Sequence, residues 1–290
     1  MTSDDQSVAS VSLAALAFVA AIASGFLHAV WNALAKRTGD PGGAMIAQLI
    51  AAGAFALVAC LFIGWPNVSV WHWMVLGAFG NAGAVTLLAM GYQRGDYAIT
   101  YGLSRATVPW MLTPLTVLVL GNTLRVTDMV GIAAISLGVL LAATNGSRLN
   151  AETRRASAFA VASGMCVAFS IFSDSRGAVL AGALNYGVAQ TALNAVVGGI
   201  VYRIQSGVSI TATLRRHGRV GAATAIISTT SYLLILWVFT QLPAVVGAAL
   251  RDSSLLFALM IGIVYFGERL GRIQWIGCAC LAAGVAMLRM

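Results

Sequence analysis

Apolar residues run almost unbroken for about twenty positions at a time along this chain and then give way to short polar turns. Ten such runs can be bounded, at 11–36, 43–63, 70–92, 97–120, 126–144, 156–181, 184–204, 219–241, 243–266 and 272–289. An α-helix needs about 20 apolar residues to cross a hydrocarbon core of roughly 30 Å, so each run predicts one membrane-spanning helix. The period-two alternation of an outer-membrane strand is absent from them, which excludes a β-barrel. The connections carry turn chemistry: TGDPGG at 38–43, GWPNV at 64–68, QRGD at 93–96, QLP at 241–243 and GERLGR at 267–272.

The longest polar stretch, NGSRLNAETRRAS at 145–157, falls at the middle of the chain, and a second basic loop occupies 206–219. Five spans, a hydrophilic joint and five more spans predict a duplication, with one repeat over 1–145, a linker over 146–155 and a second repeat over 156–290. Sliding the chain by 146 residues aligns span four with nine and five with ten, pairing Ala98 with Ala244, Arg105 with Arg251, Gly131 with Gly277 and Gly138 with Gly284. A shift of 142 pairs Gln48 with Gln190, Asn32 with Asp174 and His28 with Ser170. Alanine and valine coincide readily in apolar sequence; a mid-span arginine matched in both copies, with glycines in register, carries far more weight. An odd number of spans per repeat forces the copies into opposite orientations. The expected fold is therefore an all-α integral membrane protein of ten transmembrane helices arranged as two inverted five-helix repeats, the plan of secondary transporters.

Composition sharpens this picture. Of 290 residues 59% are hydrophobic and 9% charged, with 31 glycines and 5 prolines, which suits helices packed closely through small residues. Cys60, Cys166, Cys278 and Cys280 all lie in apolar runs without a CxxC pair, so neither a disulfide framework nor a zinc site is expected. Lys36 is the only lysine, and no Gly-Lys step exists for a P-loop. HExxH and GxSxG are absent. No catalytic residue, metal or cofactor is expected. The net charge of +8 is explained by loop arginines against anionic headgroups, without nucleic acid. The N-terminal MTSDDQSVAS lacks the basic region of a secretory signal, so the first run is expected to stay as a helix.

WNALAK at 31–36, small-residue-rich spans, and the paired turns Gly121-Asn122-Thr123-Leu124 and Gly267-Glu268-Arg269-Leu270 resemble the EamA branch of the drug/metabolite transporter superfamily. The resemblance covers nearly the whole chain and implies a multi-pass transporter of small metabolites in the inner (cytoplasmic) membrane. HAVWNALAK at 28–36 further resembles a subgroup associated with phosphonate use.

An ionisable side chain inside a span is costly in hydrocarbon and so marks a functional site by default. Arg105 and Arg251 are each the ninth residue of their run, which places them roughly 12–13 Å below the surface, near the midplane. Two guanidinium forks converging in a low dielectric make a receptor for carboxylate or phosphoryl oxygens. The similar plastid phosphate-translocator branch, with basic residues on corresponding helices, implies the same. Against this stands a structural role, in which Asp174 and Asp252 neutralise the arginines and lock helices together, or a mixed one in which a carboxylate releases an arginine on taking a proton. His28, Asn32 and Lys36 form one stripe at i, i+4, i+8, with Trp31 beside it. Ser170, Asp174 and Cys166 form the matching stripe in span six. Tyr101 sits one turn before Arg105, and Asn81, Ser231 and Tyr232 are weaker candidates for the lining. Spans one, three, four, six, eight and nine are expected around the cavity, with five and ten peripheral and available for homodimer contact.

The expected function is secondary active transport of a small anion or zwitterion (organophosphonate, organic acid or amino acid) by alternating access around a midplane site. An exporter of amino acids or apolar drugs is the alternative, and a membrane-embedded enzyme a more distant one. Of the fifteen basic residues besides Arg105 and Arg251, twelve follow odd-numbered spans and only Arg125, Arg176 and Arg289 lie on the side of the termini. The positive-inside rule then places both termini outside the cytoplasm, whereas the resemblance implies termini inside.

Overall fold

The computed structural model describes residues 3–94, 97–121, 123–143, 151–267 and 269–288. Asn122 and Glu268 of the paired turns, Arg148, Arg289 and positions 146–150 of the expected linker lie outside the described residues. The described chain is helical: α1 (Ser3–Lys36), α2 (Pro41–Ile63), α3 (Trp71–Tyr92), α4 (Tyr97–Pro114), α5 (Val126–Ala143), α6 (Ala151–Ala181), α7 (Ala183–Ser206), α8 (Ile210–Gln241), α9 (Ala244–Arg251), α10 (Ser254–Phe266) and α11 (Arg272–Met287). Among the described residues, seven segments are long and apolar enough to cross a membrane, and Arg272–Met287 is a shorter apolar helix. The chain is a multi-pass membrane protein.

Helix limits depart from the apolar runs where a helix continues beyond the membrane. The run expected to start at 219 belongs to a helix that begins at Ile210, so most of the basic loop at 206–219 is its first turns. Ser209 caps that start, its hydroxyl accepting the Ala212 N–H at 3.2 Å. Hydropathy marks where lipid begins, not where the backbone ladder begins. α4 and α7 fall outside the seven apolar segments. The first carries Arg105 with Pro109 and Pro114, and the second carries Asn185, Gln190 and Asn194. After Pro114, which cannot donate to the ladder, residues Leu115–Val119 widen into a π-helical turn.

Large apolar side chains face outward all round, Leu61, Phe62, Leu118 and Val264 among them. The interior is rich in alanine, glycine and serine, as expected where lipid offers no hydrophobic drive to bring helices together and close packing must do so. Helices α3 and α6 pack along each other, as do α1 and α8, α2 and α7, α2 and α8, α4 and α6, and α5 and α11. α1 also runs beside α9 and α10. Ser24 and Ser231 stitch α1 to α8 reciprocally, each hydroxyl donating to the other residue's carbonyl, at 2.7 and 2.8 Å. Gln48 of α2 donates to Ser228 of α8 at 2.6 Å, and Gln190 of α7 donates to the Met74 carbonyl of α3 at 3.2 Å. α5 crosses α11 through glycines: a Cβ on Gly131 would lie 3.0 Å from the Gly284 carbonyl, and one on Gly138 2.7 Å from that of Gly277.

Candidate functional site

The ninth apolar run is not one regular helix. α9 ends at Arg251 and α10 begins at Ser254. Between them Ser253 N–H donates to the Leu250 carbonyl at 3.2 Å and Leu255 N–H to that of Asp252 at 3.0 Å, the i→i−3 spacing of a tightened 3₁₀ turn. α1 crosses this turn so closely that a Cβ on Gly25 would come within 3.0 Å of the Arg251 carbonyl and of the Ser253 hydroxyl. Arg105 occupies an irregular position too. Pro109, four residues on, has no N–H to give the Arg105 carbonyl its helical bond.

The two guanidinium groups lie within electrostatic reach of each other, of Asp252 and of His28. Arg251 Nη2 lies 3.2 Å from His28 Nδ1 on α1. Trp31 Nε1–H donates to the same nitrogen at 3.3 Å, its ring set edge-on to the imidazole. Two donors converging on Nδ1 need its lone pair, so the ring hydrogen sits on Nε2. Arg105 Nε donates to the Tyr101 hydroxyl at 3.1 Å, and its guanidinium stands over the Tyr101 ring at 5.4 Å. Among the described residues no carboxylate approaches within 4.0 Å of either arginine.

Asp174 is occupied differently. Tyr232 of α8 donates to its Oδ2 at 2.9 Å and Tyr186 of α7 to its Oδ1 at 3.2 Å, which ties three helices to one carboxyl group. Ser170 donates to the Gly77 carbonyl at 3.1 Å, a contact that holds α6 to α3. Asn32 bonds back to the His28 carbonyl at 2.7 Å along its own helix. Asn81 is exposed on α3. His28, Trp31, Arg251, Asp252, Arg105 and Tyr101 thus form one electrostatic neighbourhood, joined through Tyr232 to Asp174. No group of three or more metal-ligating side chains exists among the described residues.

Tyr186 and Gln190 are not among the expected site residues. Both are fully buried, and the Gln190 amide also donates to Asn194 Oδ1 at 3.2 Å. The sequence does carry a signal for them, since Tyr186, Gln190 and Asn194 fall at i, i+4, i+8 in an otherwise small-residue helix.

At the opposite end of α8, His217 Nε2 meets Asp40 Oδ2 at 2.9 Å, with Arg216 at 4.0 Å. Asp40 also caps α2 by accepting the Gly43 N–H at 3.0 Å. That backbone bond, with His217 and Arg216 assisting, holds the Asp40 carboxyl below its ordinary range.

Sequence and structure comparisons agree with this architecture. No curated protein matches the chain in sequence. Twenty-nine solved chains match in structure. One of them, described only as the crystal structure of a protein, has a TM-score of 0.71 at 16% identity, over 95% of this chain and 96% of its own. That likeness is one of fold. Residues 155–290 match the EamA-like transporter family. The resemblance read in the sequence therefore stands over the second half of the chain, residues 155–290, which is similar to EamA-like membrane transporters.

Proposed function

We propose that the chain is a secondary active transporter of the inner membrane, with ten spans in two inverted five-helix repeats, α9 and α10 together making the ninth. Its cargo is a small anion or zwitterion, an organophosphonate, organic acid or amino acid, held between Arg105 and Arg251. One observation carries this reading. Two half-buried arginines related by the 146-residue shift stand within electrostatic reach of each other, and no described carboxylate lies within 4.0 Å of either. A guanidinium held inside the protein without a carboxylate at ion-pair distance is costly, and an anionic ligand offsets that cost.

The packing favours the inverted repeat. Exchanging each of the first five spans with the span five later turns the α3–α6 contact into α8–α1, and α4–α6 into α9 and α10 on α1. It also turns the Gln48 bond from α2 to α8 into the Gln190 bond from α7 to α3. The Gly131–Gly284 and Gly138–Gly277 contacts exchange with one another, as a two-fold axis between α5 and α11 requires. A membrane enzyme has no need of that symmetry, whereas alternating access uses it.

The test is a thermal-shift screen of the purified protein against anions, zwitterions and cations, followed by uptake of the stabilising compound into proteoliposomes. A specific ligand stabilises by mass action. Stabilisation by an anion or zwitterion that is lost in both Arg105→Gln and Arg251→Gln supports the reading. A cation as the only stabiliser, or unchanged uptake in both variants, overturns it.

A further inference from the structure

A cavity of about 330 Å³ opens where α6 and α8 end and α9 begins. It lies away from the Asp40–His217 contact: that contact and Thr240 in the cavity wall are separated along α8 by about 34 Å at 1.5 Å per residue. Arg176 of α6 lines it, together with Ser175, Thr240 and Gln241, and no carboxylate among the described residues does. The Arg176 Nε is buried and has no hydrogen-bond partner. None of the neighbouring oxygens accepts from it, and those neighbours donate elsewhere. Ser175 donates to the Phe172 carbonyl at 2.8 Å, Thr240 to that of Trp237 at 2.7 Å, and Gln241 Nε2 to the Thr240 hydroxyl at 2.8 Å. The start of α9 lines the same cavity through Pro243 and Ala244, without a side-chain cap. Helix N–H groups left over at that end favour negative charge in the same space.

The geometry points to a second oxyanion site in this cavity, held by Arg176 and distinct from the interior arginines. Its ligand is a phosphate, phosphonate or carboxylate group, carried either by a soluble solute or by the headgroup of an anionic lipid. Asp174 and Arg176 stand two residues apart on α6 and so point to different faces, the first toward Tyr186 and Tyr232 and the second into the cavity. Ala244 and Arg251 are one short helix apart, about 10 Å. Under the transport reading, on which this role rests, an anion caught at Arg176 is one helix length from Arg251 and enters or leaves through this vestibule.

The experiment measures thermal stabilisation of the purified chain by inorganic phosphate in detergent and, separately, by phosphatidylglycerol in nanodiscs against phosphatidylcholine nanodiscs. Wild type, Arg176→Gln, Val179→Glu, Arg105→Gln and Arg251→Gln are compared. Val179 is 54% exposed one turn after Arg176, so a glutamate there supplies an internal carboxylate without disturbing the interior. It remains informative where Arg176→Gln does not fold. Stabilisation by phosphate that is lost in the two cavity variants, and kept in at least one interior variant, supports the site with a soluble ligand. The same pattern with phosphatidylglycerol alone supports it with a lipid ligand. Stabilisation unchanged in Val179→Glu and in any folded Arg176→Gln, or absent from wild type with both probes, overturns it. Loss only in the interior variants overturns the vestibule while leaving the central arginine site standing.

Discussion

Arg251 and His28 meet at 3.2 Å across the α9–α1 contact, with the imidazole accepting at Nδ1 from both the guanidinium and Trp31. The histidine aims the arginine without neutralising it, which is what a receptor for an anion requires. Replacing Arg251 by lysine keeps the charge but removes the planar fork and its reach to His28. The expected cost is that of a hydrogen bond to a charged group, about 1.5–3 kcal/mol, or roughly ten- to hundred-fold in ligand affinity. Titration of the stabilising ligand against Arg251→Lys, by shift in melting temperature or by calorimetry, reads this directly. An affinity equal to wild type would refute a directional role for the fork.

The two candidate carboxylates should separate by role. Asp174 is held by two tyrosine hydroxyls, and a group so tied serves the fold. Asp174→Ala strands both hydroxyls in the interior, at about 1–3 kcal/mol each, and should lower the unfolding temperature clearly. Asp174→Asn keeps an accepting oxygen and should lower it much less. Asp252 instead stands in the field of both arginines beside the 3₁₀ turn. If transport is proton-linked, Asp252→Asn should remove the pH-gradient dependence of proteoliposome uptake and Asp174→Asn should preserve it. The reverse result would exchange the two assignments.

Gly138 and Gly277 let α5 and α11 cross at backbone distance. Leucine at either position drives a side chain into the opposite carbonyl, for which nothing but helix separation makes room. Overpacking of this kind costs typically about 1–3 kcal/mol. A fall in unfolding temperature of Gly138→Leu that matches Gly284→Leu is expected from the two-fold relation, since Gly284 is the counterpart of Gly138 and its Cβ would lie 2.7 Å from the Gly131 carbonyl. A large effect at one position alone would count against that symmetry.

Much of this arrangement is legible in the amino-acid sequence. The arginine pair, the glycine register and the glutamine pair stand out because a charge or a glycine in an apolar run has few innocent explanations. Local backbone behaviour is not legible in the same way. The break after Arg251 has no proline and no glycine to announce it, and arises where α1 crosses at Gly25. The partners of Asp174 are equally hidden, since a tyrosine twelve residues away and another fifty-eight away become neighbours only through packing. By sequence Arg176 is one of three basic residues on the side of the termini, and only its place in a cavity that no described carboxylate lines sets it apart.

Asp40 makes α2 and α8 sensitive to acid. Its carboxyl is held below the ordinary value by the Gly43 N–H and then by His217 and Arg216. A depressed carboxyl contributes stability above its unfolded value and loses it as pH falls through the folded one. Wild type should therefore lose stability below the usual carboxylate range, relative to Asp40→Asn, whose amide still caps α2 but does not titrate. Asp40→Ala, which removes the cap as well, should cost about 1 kcal/mol even at neutral pH. Because the side chain is 40% exposed, the ionic part of the effect is small and is best followed as the difference between the two variants over a pH series. Parallel curves for wild type and Asp40→Asn would dismiss the acid response.

Orientation in the membrane follows from where the basic residues fall. On the ten-span reading, twelve of the fifteen outside the interior pair follow odd-numbered spans, and Lys36, Arg37, Arg215, Arg216 and Arg219 among them lie on the side of the Asp40–His217 contact. Only three share the face of the termini. Short loops rich in Lys and Arg stay in the cytoplasm, so the Asp40 face is expected inside, and the Arg176 cavity opens outside with both termini. The EamA resemblance implies the opposite, but a transporter of inverted repeats works either way up, because inversion only exchanges its two access states. A cysteine placed at Ser3 gives a reactive thiol near the N-terminus, against a background in which all four native cysteines lie in apolar runs. With an impermeant maleimide, labelling in intact cells is expected. Labelling only after the cells are broken would put the termini in the cytoplasm and turn the Arg176 cavity inward with them.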